Sequence, residues 1–146
     1  MEQTLVIVKP DAVAKGLIGE LIRRFETEGL RIRGLKMVAL GKKEAEGFYR
    51  VHREQPFFES LTRFMASGPC VAMVLEGDGA IARVRKLMGA TDPLKAEEGT
   101  VRRAFATSIE RNVVHGSDSA KSAAFEIPFF FSELELHSGA RERMRT

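Results

Sequence analysis

Cys70-Val71-Ala72-Met73-Val74-Leu75 is apolar at every position. A strand with one face in water alternates apolar and polar residues, whereas one covered on both faces does not. This stretch therefore reads as the central strand of a sheet, set off by Gly68-Pro69 before it and Gly77-Asp78-Gly79 after it. Cys70 reads as a small core residue rather than a reactive thiol.

Working outward, Thr4 to Val8 is a β-branched run stopped by Pro10, and Arg31 to Leu40 is a second extended segment. Between them Ile18, Leu21, Ile22 and Phe25 recur at helical spacing, and Gly29 ends that helix. Lys43 to Tyr49 reads as a short helix. Pro56 opens another, in which Phe57 or Phe58 joins Leu61, Phe64 and Met65 on one face while the other ring is free to cover a groove. After the central strand, Ile81, Val84 and Leu87 or Met88 give a helix its buried stripe. A long loop then runs to about Arg102, and such loops are usually functional. Near the end, Ala120 to Phe125 reads as a short helix and Ile127 to Phe131 as an extended aromatic segment.

The order is strand, helix, strand, helices, strand, helix, loop, strand. It suits an α+β fold, a ferredoxin-like β-α-β-β-α-β sandwich in which helices pack on an antiparallel sheet, with insertions. An RNA-recognition module can share that topology but needs exposed strand aromatics, and Thr4–Val8 and Cys70–Leu75 contain none.

The 146 residues suffice for one domain, 1–146, with a real core. No apolar run approaches bilayer length, Leu5-Val6-Ile7-Val8 is too short for a signal-peptide core, and the lone cysteine fits a reducing compartment, so the expected location is cytoplasmic. A net charge of +3 favours anionic partners without naming one. Only Arg141, Arg143 and Arg145 concentrate basic charge, and that tail reads as a frayed terminus. Gly77-Asp78-Gly79-Ala80-Ile81-Ala82 fits the loose dinucleotide fingerprint G-x-G-x-x-A. However, Glu97 and Glu98, which should close a second strand, fall in a loop, so a turn and helix start is the better reading.

The chemistry concentrates in Asn112-Val113-Val114-His115-Gly116-Ser117-Asp118-Ser119. Two β-branched residues suit a short strand with His115 exposed at its end. Gly116 permits a sharp turn or close approach, and Ser117, Asp118 and Ser119 suit a helix N-terminus. Lys9 sits where the first strand ends, a common ligand position, although a surface lysine fits equally well there. Lys9, Arg85 and Arg102 with the Thr91 hydroxyl suit a polyphosphate, an aromatic ring suits a base, Asn112 suits a sugar hydroxyl, and a neutral histidine suits a phosphoryl acceptor. Phosphoryl transfer needs mainly positioning and charge stabilisation, which this set can supply.

Together with Val8-Lys9-Pro10-Asp11, Pro56-Phe57-Phe58, Ser67-Gly68-Pro69, Met88-Gly89-Ala90-Thr91-Asp92-Pro93 and Gly99-Thr100-Val101-Arg102, this stretch resembles the nucleoside diphosphate kinases over nearly the whole chain. The resemblance implies transfer of a γ-phosphoryl group between nucleoside triphosphates and diphosphates through a phosphohistidine at His115. It implies Mg2+ carried by the nucleotide, with no direct protein ligand. It implies that Lys9 reaches the transferring phosphate, with Tyr49 and His52 lining the site, and that Arg85, Thr91 and Arg102 hold the outer phosphates. Asn112 would bond the ribose. Phe57 would stack on the base with Ile109 as apolar neighbour, and Glu126, held by Ser117, would orient His115. A homo-oligomer is also implied, with a tetramer favoured over a hexamer. Gln55 and Phe129-Phe130-Phe131 depart from the family's usual residues and bear on subunit contacts and local stability. A nucleic-acid-binding module and an inactive scaffold are the alternatives. The first would show steep salt dependence, and the second would most simply have lost Lys9, Asn112 or His115, all of which are present.

Overall fold

The computed structural model describes residues 1–137; the tail with Arg141, Arg143 and Arg145 lies outside them. The elements run β1 (Glu2–Val8), α1 (Pro10–Ala14), α2 (Ile18–Thr27), β2 (Arg31–Val38), α3 (Lys42–Phe48), α4 (Phe58–Met65), β3 (Cys70–Gly77), α5 (Ala80–Met88), α6 (Val101–Phe105), β4 (Val114–Gly116) and α7 (Ala120–Phe130). The sheet order is β2-β3-β1-β4. Every neighbouring pair is antiparallel, as in the ferredoxin-like arrangement.

β3 is interior, and its residues Cys70 to Leu75 are all buried, as an unalternating apolar run requires. The period of two divides the core. Val6, Val8, Met73 and Leu75 pack with Leu21 and Phe25 of α2 and with Val84 and Met88 of α5. Leu5, Ile7, Ala72 and Val74 face the other way, onto Ala45 and Phe48 of α3, Phe64 and Met65 of α4, and Phe130 and Phe131. Helices thus cover both faces. Gly29 leaves α2 with φ +84°, a conformation glycine adopts without steric cost.

Three local readings are corrected. The Ile127–Phe131 segment is not extended; α7 continues through Pro128 to Phe130. Proline removes one helical bond, but Phe130 and Phe131 are buried in the second cluster, and that packing outweighs the local preference. Val101 to Phe105 forms α6, capped by Thr100, whose hydroxyl accepts from Arg103 N; five residues are too few to show a period. His115 is the middle residue of β4 and largely covered, not exposed at the strand's end, because Val113 leaves the extended region with φ +63° and the strand begins at Val114.

Phe25 is fully buried between α2 and the sheet, so Phe25→Ala should cost about 3–5 kcal/mol of stability in urea unfolding. Activity per folded molecule should change little, because Phe25 lies outside the cavity described next.

Candidate active site

A cavity of about 670 Å³ opens beside β4 and is lined by Lys9, Tyr49, His52, Phe57, Arg85, Thr91, Arg102, Ile109, Asn112, His115 and Glu126. These residues come from the ends of β1 and α3, the turn at Arg50–His52, α5, α6, β4, α7 and three loops, before α4, after α5 and before β4. Ser117 does not line the cavity; it is fully buried behind it.

The β1–β4 register pairs Ile7 with His115 and Val8 with Val114, and Lys9 N donates to Val113 O at 2.9 Å. Lys9 and His115 are thereby held on adjacent strands. Gly116 lets β4 sit close to α5: a Cβ there would lie 2.8 Å from Met88 Sδ. Beyond β4, Ser119 caps α7 by accepting from Ser122 N at 3.0 Å.

His115 Nε2 lies 2.9 Å from Glu126 Oε1, and Ser117 Oγ donates to the same oxygen at 2.8 Å. An ionised carboxylate only accepts, so Nε2 carries the hydrogen and the lone pair of the neutral ring resides on Nδ1. Ser117 is anchored in turn by accepting from Leu5 N at 3.1 Å. Phe48 and Tyr49 meet the imidazole edge-to-face at centroid distances of 5.3 and 6.1 Å. Tyr49 Oη is buried without a hydrogen-bond partner, and burial, then the nearby Glu126 charge, drive its ionisation far above the ordinary tyrosine range. It remains a neutral phenol.

The cationic side is equally confined. Lys9 is 6% exposed, and its Nζ donates to Asn112 Oδ1 at 2.8 Å, while Asn112 Nδ2 donates to Thr91 O at 3.2 Å. Asn112 therefore braces Lys9 against the 89–100 loop and keeps one amide hydrogen for another acceptor. Arg102 donates to Gly89 O at 3.1 Å and Val114 O at 2.8 Å, with Nε buried and unpartnered. Burial and then the Arg85 charge bring Arg102 down to about 10, so it stays charged at neutral pH. Lys9 is lowered to about 8 by burial first and then by Arg102, against the opposing charges of Asp11 and Glu110.

At the mouth Phe57 and Ile109 are 46% and 59% exposed, and the Phe57 and His52 rings lie 5.5 Å apart. Phe58 packs against the second core cluster, so Phe57 is the ring left free. Sequence reasoning did not single out Val51, Leu61, Glu110, Asp118 or Ser122 as lining residues. Asp118 and Ser122 could have been found from their positions at the start of α7; Val51 and Leu61 carry no distinguishing signal. Among the described residues no three His, Cys, Asp or Glu side chains form a metal-binding group.

A family model described as nucleoside diphosphate kinase matches residues 2–136. The nucleoside diphosphate kinase of Desulfosudis oleivorans is 64% identical over 93% of this chain and 98% of its own. That of Desulforapulum autotrophicum is 62% identical over 93% and 99%. Among solved structures, the nucleoside diphosphate kinase of Aquifex aeolicus has a TM-score of 0.91 at 49% identity, covering 92% of this chain and 98% of its own. The Halobacterium salinarum enzyme in complex with CDP has a TM-score of 0.92 at 41% identity, covering 99% and 96%.

Lys9 carries its charge below about pH 8 and loses it above. If that charge meets an anionic ligand, kcat/KM should fall as pH rises through about 8, because this ratio reports groups of the free enzyme. Lys9→Arg cannot titrate in that range and should hold its smaller activity to higher pH. An unmoved alkaline limb in Lys9→Arg would assign it to another group.

Proposed function

The chain belongs to the nucleoside diphosphate kinase family, whose reaction moves a phosphoryl group between nucleotides, and we propose that His115 is the residue that carries that group here. The observation that supports this most is the Glu126–His115 contact at Nε2, which leaves Nδ1 as the nucleophile. The Nδ1 lone pair forms a bond to the γ-phosphorus while the bond to the β,γ-bridging oxygen breaks, and the nucleoside diphosphate leaves with that electron pair. A second nucleoside diphosphate then takes the phosphoryl group from Nδ1 by the reverse displacement, a ping-pong sequence.

In this reading Lys9 reaches the transferring phosphate beside Tyr49 and His52. Arg85, Thr91 and Arg102 hold the outer phosphates, which matches permanent cations to fixed anions. Asn112 directs its spare amide hydrogen to the ribose, and Phe57 with Ile109 covers the base. Glu126, fixed by Ser117, stabilises the ring as charge develops on it. The cavity's donors are mainly cations, a set that fits a metal arriving on the nucleotide's phosphates; Mg2+ there would spread the phosphate charge. The proposal takes residues 1–146 as one cytoplasmic domain, consistent with the single buried cysteine. It also takes the working enzyme as a homo-oligomer, with a tetramer favoured. Exposed Leu35 and Met37 on β2, which pairs with β3 alone among the described strands, support a contact between copies.

Incubation with γ-labelled ATP followed by chase with a different nucleoside diphosphate should put label first on the protein and then on the new triphosphate. The protein-bound label should be acid-labile and alkali-stable, and His115→Ala should abolish it while nucleotide binding persists. Label on His52 or His137 would refute the assignment. Base stacking uses a face that all bases share, so Phe57→Ala should weaken every nucleotide by a similar factor, about 1–3 kcal/mol. A loss confined to one base in a nucleotide titration panel would contradict the stacking role.

A further inference from the structure

Val113 is the one non-glycine residue with positive φ, +63°, among the described residues, and it is β-branched and fully buried. Val114 N donates to Asn112 O at 2.8 Å, closing a three-residue turn centred on Val113. That combination is the rare, strained form of the γ-turn, and a β-branched residue fits it poorly. Such a conformation persists only where its surroundings over-determine it.

The surroundings here are specific. Lys9 N donates to Val113 O from one side. From the other, Val113 N donates to Asp11 Oδ2 at 3.1 Å, across a separation of 102 residues. Asp11 is in the first turn of α1 and only 8% exposed; its other oxygen, Oδ1, is buried without a hydrogen-bond partner. A buried carboxylate with one free oxygen is costly, and an aspartate there for solubility or helix capping would face water. Asn112, the first residue of the turn, holds Lys9 Nζ, and His115 directly follows its last residue, Val114. A change in the turn would therefore move the lysine brace and the nucleophile together.

We propose that Asp11 is a positioning residue for phosphoryl transfer: its carboxylate pins the Val113 turn and so holds Lys9, through its Asn112 brace, and His115 on the same phosphate. The inference rests on His115 as phosphoryl carrier, which the labelling of the native chain tests independently. Misplacing a nucleophile by a fraction of an ångström lowers the rate of the chemical step more than it weakens binding.

The test is the single-turnover rate of phosphorylation by labelled ATP, with KM and Tm measured on the same proteins. Asp11→Ala should slow phosphorylation about tenfold or more with little change in KM, and Asp11→Asn, whose amide oxygen can still accept from Val113 N, should recover most of that rate. Where Asp11→Ala does not fold, Asp11→Glu replaces it. It keeps the charge but carries the carboxylate one methylene past Val113 N, and the same loss is expected. Adding Val113→Gly removes the steric penalty of the left-handed turn. It should restore phosphorylation at least about threefold in the Asp11 variant while lowering Tm further, because a buried side chain is lost. A role in stability alone predicts the opposite, with the double variant slower than the single. That result, or a native rate in Asp11→Ala or Asp11→Glu, overturns the proposal.

Discussion

The site depends on the pairing of β4 with β1, a ladder of only three residues. Its register, Val6 with Gly116, Ile7 with His115 and Val8 with Val114, sets the imidazole on the face of the sheet that holds Phe48 and Tyr49. A slip by one residue would turn His115 to the face packed by α2 and α5, away from Glu126. Three ladder positions cannot enforce this unaided. The register is secured from outside the ladder: Ser117 exchanges bonds with Leu5, Arg102 grips Val114 O, and Lys9 N holds Val113 O. The Met88 side chain closes on Gly116, so β4 cannot lift towards α5.

The same packing concentrates positive charge where it is costly. Lys9 and Arg102 are both nearly buried, and Arg102 disfavours the Lys9 charge as Arg85 disfavours that of Arg102, yet the bonds they make are to an amide oxygen and to backbone carbonyls. Asp11 and Glu110 offset the repulsion at Lys9 without contacting its ammonium through a hydrogen bond. A pair of desolvated cations with unspent donors is a site prepared for an anion: the desolvation is borne during folding, so an arriving phosphate meets fixed charges rather than water.

Legibility from sequence followed the range of each signal. Unbroken apolar runs and helical stripes are local, so Cys70–Leu75 and the Leu21–Phe25 face could be placed without the structure. Lys9 could not be resolved by its local context, where a surface position fitted as well; only the β1–β4 register and Asn112 make it part of a cavity. Ile127 to Phe131 read as extended because the packing that carries α7 through Pro128 comes from β1, β3 and α3. Val113 was misplaced for a similar reason. Its side chain favours a strand, and the bonds that hold it in a left-handed turn come from Lys9 and Asp11, about a hundred residues away. What sequence hides is therefore the tertiary contact that overrules a local preference.

The cavity is also graded in rigidity along its length. At its base Asn112 is 2% and Lys9 6% exposed, and each polar contact is braced by a second. At its mouth Phe57 and Ile109 stand half-exposed and offer apolar surface with no directional donor or acceptor on either side chain. Hydrogen-bonding groups held rigidly in a dry pocket discriminate strongly, because a mismatched ligand leaves them unpaired; exposed apolar faces discriminate weakly, since most flat rings satisfy them. Under the roles proposed for these residues, a site built in this order is selective for the phosphate chain and tolerant of the base. For an enzyme that exchanges phosphoryl groups among nucleotides, one rigid end can then serve both half-reactions, while the loose end lets one base leave and a different one enter.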